Sequence, residues 1–275
     1  MRPSFSFPEW GGEPVKSLLL FPEQGNLDQI KFARYAALLK ARGVQATMIA
    51  PAPLASLFET LGVEVIVGGE GVAVPRRGAW APVGSLPRWL GEHAPDSYFA
   101  VAPAAEGKLG VTGVITRGNP AFARDDHRSL PPEFSAELMA LLGAVSLQVD
   151  TGAADFLATA RLIAGLDRVI ASDTAITNLA VAIGNPTWVL LSHDPDWRWG
   201  WSGDTTAWYP TARLFRQSSP GDWRTVMDAV KAALSPSSPA SRREEAGNAY
   251  RFGSGSGPGS GGFTSATFSV IETRS

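Results

Sequence analysis

The sequence contains no cysteine, which excludes disulfide bonds, a thiolate nucleophile and any metal site with cysteine ligands. It also lacks a long apolar run: none reaches the roughly 18 consecutive residues that span a bilayer. The first run, 15–21, is interrupted by Lys16 and closed by Pro22, so it is too short for the core of a signal peptide. Together with the missing cysteines, these features predict a cytoplasmic protein.

The sequence also has no excess of basic over acidic residues. The 24 Lys and Arg residues are balanced by 26 Asp and Glu, which gives a formal charge of −2 and argues against nucleic acid as a partner. Tryptophan, in contrast, is abundant, and six of the nine lie between residues 188 and 223. Amphipathic rings at this density indicate either the wall of a cleft or a locally thick core.

Short apolar runs alternate with amphipathic stretches, the pattern of an α/β protein with parallel, helix-covered sheets. The region 68–97 departs from this pattern and reads as a connection with one helix near 86–91. The predicted strands are 15–21, 45–50, 63–67, 111–116, 145–149, 169–171, 187–191 and 213–216. The other predicted helices are 26–43, 53–61, 131–142, 154–164, 175–183 and 223–234.

This alternation of strands and helices predicts two Rossmann-like domains, residues 1–103 and 104–235, followed by a tail, 236–275. The tail is rich first in Ser and Pro and then in Gly and Ser, the composition of a flexible linker. It ends in a β-prone peptide from Phe263, which is open to three interpretations: disorder, an appended sequence, or a strand that adds to an exposed sheet edge.

Ser172, Asp173 and Thr174 stand where a predicted strand runs directly into a predicted helix. A helix N-terminus at the carboxyl end of a parallel strand presents free N–H groups and the positive end of its dipole, which suits a phosphate. The hydroxyls add donors. The alternative is structural, namely that Asp173 only caps the helix.

The first domain repeats this strand-to-helix arrangement at Gln24, Gly25 and Asn26, with Asn26 predicted to cap the helix together with Gln29. Asp28 falls in the first helical turn, where a carboxylate can accept a proton from an attacking hydroxyl. The alternative is that Asp28 only complements the helix dipole.

Arg117 and Asn119 follow the strand 111–116, and Arg128 comes soon after them. Guanidinium groups in such a loop can clamp a diphosphate, although loop arginines are also commonly just solvated. Trp197 and Arg198 lie in a second aromatic and cationic loop, which can stack on a base or a sugar. Asp194 and Asp196 form an Asp-x-Asp pair, but no other carboxylate or histidine stands at metal-ligand spacing, so no metal site is expected.

In their order along residues 15–234, several segments resemble bacterial glycosyltransferases of the heptosyltransferase-like group, glycosyltransferase family 9, of the type often fused to tetratricopeptide repeats. No such repeat is visible here. The segments are Phe21-Pro-Glu-Gln-Gly-Asn-Leu-Asp-Gln-Ile-Lys-Phe-Ala-Arg-Tyr, Gly118-Asn-Pro, Asp126-His-Arg-Ser-Leu, Asp155-Phe, Thr159-Ala, Ser172-Asp-Thr-Ala, Gly184-Asn-Pro-Thr-Trp, Pro195-Asp-Trp-Arg-Trp and Trp208-Tyr-Pro-Thr-Ala-Arg-Leu-Phe-Arg-Gln.

The resemblance implies a GT-B fold, two Rossmann-like domains facing a cleft, and inverting, metal-independent transfer of a sugar from a nucleotide diphosphate to a glycan or protein hydroxyl. No cofactor is implied. Asp28 matches the family's base, and Gln24, Gly25 and Asn26 lie on the acceptor side. The residues implied in donor binding are Arg117, Asn119, Arg128, Ser172, Asp173, Thr174, Asn178, Trp197 and Arg198.

Two positions depart from the family pattern. Leu27 replaces the glycine before the base, and Asn178 replaces a histidine. These departures favour the rival hypothesis, a degenerate, non-catalytic module of the same fold that binds a sugar nucleotide or a protein.

Overall fold

The computed structural model describes residues 3–23, 25–91, 97–104, 109–148, 152–235 and 270–273. Within these ranges, no helix combines the length and the apolarity needed to cross a membrane. The strands are β1 (Ser17–Phe21), β2 (Gln45–Ala50), β3 (Glu64–Val67), β4 (Val72–Pro75), β5 (Ala79–Pro82), β6 (Thr112–Ile115), β7 (Val145–Ser146), β8 (Arg168–Ser172), β9 (Thr187–Leu191), β10 (Ala212–Arg216) and β11 (Val270–Thr273).

The helices agree closely with the predicted ones, with two exceptions: the first is divided in two at Ala33, and the short helix Asp125–Arg128 was not predicted. Ala33 keeps helical backbone angles, and the amide of Ala36 donates to its carbonyl oxygen over 3.0 Å, so one tightened turn joins the two pieces. The helices are α1 (Asn26–Phe32), α2 (Arg34–Ala41), α3 (Ala52–Glu59), α4 (Leu86–Leu90), α5 (Asp125–Arg128), α6 (Pro132–Leu142), α7 (Phe156–Ala164), α8 (Ala175–Ala182) and α9 (Trp223–Leu234).

The N-terminal sheet is parallel, with strand order β3-β2-β1-β5. The two faces of β1 bury different partners: Leu18 and Leu20 belong to the main core, whereas Leu19 packs with the aromatic rings of Phe7 and Trp80. The second face is therefore covered by the N-terminal segment rather than by a helix.

The prediction that 68–97 is only a connection with one helix is wrong, because the region also contains β4 and β5. β5 pairs with β1 and so completes the sheet. Its sequence, Ala-Trp-Ala-Pro, is short and lies among Gly, Pro and Arg, which obscured the strand pattern. Its four residues are nevertheless buried, since they lie between β1 and the N-terminal segment, where Trp10 donates its amide to Trp80 O over 2.7 Å.

The C-terminal sheet is also parallel, in the order β10-β9-β8-β6-β7. Its strands alternate between two cores. Val169 and Ala171 of β8 face the main core, and Ile170 faces a second core beneath α6 and α9. The chain thus forms two main parallel sheets with helices, an α/β architecture.

The two sheets share the main core, which contains both Leu18 of β1 and Val169 of β8. At the interface α1 packs on α8 and α3 packs on α7. Polar contacts join the halves as well: Ser56 donates its hydroxyl to Asp155 Oδ2 over 2.6 Å. The predicted boundary between residues 103 and 104 falls between the sheets, and the division into domains stays a prediction.

In the tail, β11 pairs in parallel with β4. The remainder of the tail, 236–269 and 274–275, lies outside the described residues.

Candidate functional site

The C-terminal sheet changes winding direction between β6 and β8, because the chain goes from β6 to β7 on one side and then to β8 on the other. In open α/β sheets, ligands bind in the crevice at this point, outside the carboxyl ends of the two strands. Here the strand ends are tied together by Ser172, whose hydroxyl donates to Thr116 O over 2.9 Å. The residues that follow each strand therefore share one crevice.

Helix α8 begins at this crevice, and its cap is Thr174. The Thr174 hydroxyl accepts from the Thr177 amide, and the Thr177 hydroxyl in turn accepts from the Thr174 amide, each over 3.3 Å. The alternative that Asp173 caps the helix is therefore wrong. This leaves the Asp173 carboxylate available for other contacts.

Asp173 forms an ion pair with Arg198, which also pairs with Asp196 over 2.7 Å. The Arg198 side chain is 1% exposed. Burial disfavours the charged guanidinium, but the two carboxylates outweigh this effect and raise the pKa of Arg198 above its ordinary value. Arg198 thus holds its loop against the start of α8. Of the two Asp173 carboxylate oxygens, only Oδ2 lacks a hydrogen-bond partner among the described residues.

Arg128 connects the loop after β6 to the same crevice. Its guanidinium donates to Asp125 Oδ1 over 2.9 Å and to Asp173 O over 3.0 Å. Gly118 makes this possible, because a Cβ there would collide with both Asp125 and Arg128. The ring of Phe122, half exposed, lies 4.5 Å from the same guanidinium.

Arg117 and Asn119 are exposed at the mouth of the crevice. The Asn119 side-chain oxygen accepts from the Ala121 amide over 3.0 Å, which shapes the loop, and the Arg117 amide donates to Gln148 over 2.9 Å. A cavity of about 270 Å³ opens on the β7 side of Arg117. Its lining includes Val114, Thr116, Ser135, Met139 and Gln148.

The N-terminal sheet has its own change of winding direction, between β1 and β5. Glu23 follows β1 and accepts from the Gly84 amide over 3.1 Å. The prediction that Asn26 caps the first helix is wrong: Gly25 is the cap, no side chain caps the helix, and Asn26 is its first residue. Gln24 lies outside the described residues.

Asp28 lies in the first turn of α1 and pairs with Lys31 over 2.7 Å. The Lys31 side chain is 3% exposed and that of Asp28 is 22% exposed. The ammonium group of Lys31 also lies 5.6 Å from the ring centroid of Trp197, in the loop that Arg198 holds. Lys31 therefore connects the candidate base of the N-terminal half with the aromatic loop of the C-terminal half.

Asn178 lies in the interior and does not face the crevice. It is fully buried, it donates to Thr174 O over 2.9 Å, and it accepts from the hydroxyl of Tyr209 over 3.1 Å. Both hydrogen bonds stay within the protein, so this amide supports the first turn of α8 and the segment around Tyr209.

Arg34 is a feature that the sequence analysis missed. It is 1% exposed, lies within 5.1 Å of the rings of Tyr98, Trp208 and Tyr209, and donates to Trp208 O over 3.1 Å. Although burial disfavours its charge, the surrounding tyrosines raise the pKa of Arg34 above its ordinary value. Arg34 holds α2 of one half against the segment 208–209 of the other, a contact that only a tertiary structure reveals.

No family model matches the sequence, and no curated protein matches it. Solved structures do. E. coli heptosyltransferase WaaC with ADP-2-deoxy-2-fluoro heptose aligns over 79% of this chain and 98% of that chain, with a TM-score of 0.50 and 12% identity. The fold of this chain is GT-B.

Two further structures are similar. The glycosyl transferase family 9 protein from Veillonella parvula DSM 2008 aligns over 79% of this chain and 92% of that chain, with 10% identity and a TM-score of 0.49. TibC, a dodecameric iron-containing glycosyltransferase from enterotoxigenic E. coli H10407, aligns over 68% of this chain and 59% of that chain, with 11% identity and a TM-score of 0.46.

Within this GT-B fold, the crevice after β6 and β8 brings together most of the residues singled out in the C-terminal half. Those at the crevice or on the loops that close it are Arg117, Asn119, Arg128, Ser172, Asp173, Thr174, Trp197 and Arg198. Asp28 and Gly25 come from the opposite half, and Asn178 lies beneath the site. Lys31 and Glu23 are additional candidate site residues. Both lie in the same sequence motif as Asp28, which could have indicated them.

Proposed function

We propose that this chain is a glycosyltransferase that moves a sugar from a nucleotide diphosphate donor to a hydroxyl group of a glycan or of a protein Ser or Thr. One observation carries the proposal: the candidate donor site at Asp173 and the candidate base Asp28 belong to opposite halves and are linked through Arg198, Trp197 and Lys31. Glycosyl transfer needs an anion site and a base on either side of one sugar.

The donor diphosphate binds at the crevice of the C-terminal half. The first amides of α8 point there and favour negative charge. Arg128, anchored by Asp125, and the exposed Arg117 stabilise the charge that develops on the leaving diphosphate. Guanidinium groups provide this charge without a metal ion. Asp173 Oδ2 accepts a hydrogen bond from a donor hydroxyl.

Asp28 deprotonates the acceptor hydroxyl, and the resulting oxygen attacks the sugar carbon from the side opposite to the diphosphate. A single displacement of this kind inverts the configuration of that carbon. Lys31 orients the Asp28 carboxylate through their ion pair. The partial exposure of Asp28 leaves room for the acceptor to approach.

Calorimetric titration of the full chain tests this proposal, with ADP, UDP, GDP, ADP-heptose, UDP-N-acetylglucosamine and GDP-mannose as probes. We expect at least one nucleotide to bind wild type, Asp173→Asn to weaken that binding by about tenfold or more, and Asp28→Asn to leave it unchanged. Asp28→Asn should instead lower the rate of sugar transfer, measured as formation of the free nucleotide diphosphate in the presence of an acceptor, by about 10²-fold or more.

Circular dichroism of each variant separates lost binding from lost folding. Absence of binding by all six ligands would contradict the proposal. Equal weakening by Asp28→Asn and Asp173→Asn would contradict the division of roles between the halves.

A non-catalytic module of the same fold is the second candidate function, and one observation favours it. Both candidate carboxylates are paired with buried cations, Asp28 with Lys31 and Asp173 with Arg198. Ion pairs of this kind also occur as purely structural elements. Nucleotide binding without turnover on a broad acceptor panel would support this alternative.

A further inference from the structure

We infer that the exposed surface of Trp197 is the stacking platform for the sugar that is transferred, and that this side chain helps to select the donor sugar. The inference rests on the proposed function and extends it to a specificity-determining residue. Trp197 was expected only to lie near the nucleotide, where base and sugar were both open as partners.

The ring is held firmly yet remains accessible. Trp197 is 49% exposed, and its indole packs perpendicular to that of Trp208, with 5.0 Å between the ring centroids. Trp208 is itself buried against the Arg34 guanidinium, 4.7 Å from its ring. An exposed aromatic ring fixed by buried neighbours meets a ligand at little cost in conformational entropy.

The position of the ring points to a sugar. In the transfer, the sugar carbon is bonded to the leaving phosphate on one side and attacked by the activated hydroxyl on the other, so the sugar lies between the anion site and the base. Trp197 occupies this intermediate position. Arg198, its neighbour in the chain, pairs with Asp173 at the anion site, and Lys31, 5.6 Å from its ring, pairs with Asp28.

The same geometry argues against stacking on the nucleobase. The nucleobase lies beyond the diphosphate, on the side away from the base Asp28, whereas Trp197 lies next to the ammonium that holds Asp28. The chemistry of the ring is also suitable. The face of an indole is electron-rich, and the C–H groups of a pyranose carry partial positive charge, so the two surfaces attract each other.

The test compares each bare nucleotide with its sugar nucleotide by calorimetry on the full chain, using ADP with ADP-heptose, UDP with UDP-N-acetylglucosamine and GDP with GDP-mannose. For the pair that binds, we expect Trp197→Ala to raise the Kd of the sugar nucleotide by about fivefold and to leave the Kd of the bare nucleotide unchanged. Trp197→Phe, which keeps an aromatic face, should recover most of this affinity.

Trp201→Ala is the matched control, because Trp201 is in the same segment and is 74% exposed. It should change neither Kd. An equal rise for the bare and the sugar nucleotide in Trp197→Ala would assign the ring to the nucleobase and overturn the inference. No rise for either would also overturn it, while leaving the proposed function intact. If no ligand of either kind binds wild type, the proposed function and the inference fail together.

Discussion

The two halves of the molecule present their candidate carboxylates in different ways. Asp173 pairs with Arg198, which is distant in the sequence, and Arg128 reaches the same strand end from a third segment. Asp28 pairs with Lys31 one helical turn away, on a helix that has no side-chain cap. The C-terminal site is therefore fixed by several segments at once, whereas among the described residues the Asp28 carboxylate has a single local ion pair.

This difference agrees with the division of work that we propose. A donor diphosphate has a constant shape, and a preorganised site binds it with little loss of entropy. An acceptor brings the hydroxyl that must reach the base, so a carboxylate held by one neighbour on a short helix can adjust to it. The comparison predicts that disturbing the C-terminal pair damages the fold more than disturbing the N-terminal pair.

The largest effect is expected for Arg198→Met. This change removes a buried cation and leaves the carboxylates of Asp173 and Asp196 facing each other without compensation. We expect the free energy of unfolding to fall by about 3–5 kcal/mol. Urea denaturation, monitored by circular dichroism, measures this loss.

Arg124→Met is the control for this prediction, because it breaks the Arg124–Asp194 ion pair, in which both side chains are 57% exposed. Water and salt already screen this pair, so its removal should leave the unfolding transition where it was. If Arg198→Met were tolerated equally well, the C-terminal carboxylates would not depend on their buried cation.

A smaller effect is expected for Lys31→Met. Methionine retains the apolar packing of the lysine stem, and the Asp28 carboxylate that loses its partner is 22% exposed and reachable by water. We expect a loss of about 1 kcal/mol in the free energy of unfolding. The affinity for a bare nucleotide should not change, since Lys31 contacts Asp28 and Trp197, and neither is proposed to hold the bare nucleotide.

A double-mutant cycle with Asp28→Asn isolates the contribution of the pair. The coupling between the two positions should be smaller than that between Arg198 and Asp173, measured with Asp173→Asn. A larger coupling in the N-terminal half would reverse the comparison.

The same contrast explains how much the sequence allowed us to predict. Strand ends and helix starts are local signals, so β2, β9 and α9 were predicted to the residue, and the strand-to-helix junction at Asp173 was located. The role of the group around Asp173 as a site stays a prediction. β5 was missed because its burial comes from β1 and the N-terminal segment, not from a pattern within its own four residues.

Side-chain partners were harder to predict than positions. Nothing in the local sequence indicates that Arg198 is buried against Asp173 or that Arg34 contacts the rings of Trp208 and Tyr209 in the other half. The expected helix caps were wrong for a related reason. Asn26 and Asp173 are both suitable capping residues, but Gly25 and Thr174 occupy the two cap positions in the structure. Such choices depend on tertiary contacts.

The smallest effect concerns the contact between the halves at Asp155, which caps α7 and accepts from the Ser56 hydroxyl of α3 over 2.6 Å. Burial disfavours its charge, but the hydrogen bonds from Ser56 and from the amides of Ala158 and Leu157 hold the pKa of Asp155 below its ordinary 3.8. Because the folded pKa is the lower one, the stabilisation is present above about pH 4 and disappears as the pH falls through the folded value. Asp155→Ala should therefore cost about 0.5 kcal/mol at pH 7 and less at pH 3.

Urea denaturation at the two pH values measures this difference, and two variants identify its source. Ser56→Ala removes only the hydrogen bond between the halves, so it should reproduce part of the pH-dependent loss and leave the cap in place. Asp222→Ala removes a cap that lies wholly within the C-terminal half, where Ser218 and Thr225 lower the pKa of Asp222. If Ser56→Ala has no effect while Asp222→Ala and Asp155→Ala lower the stability alike, Asp155 acts only as a helix cap. The halves are then held together by their shared apolar core and by Arg34 rather than by the hydrogen bond between Ser56 and Asp155.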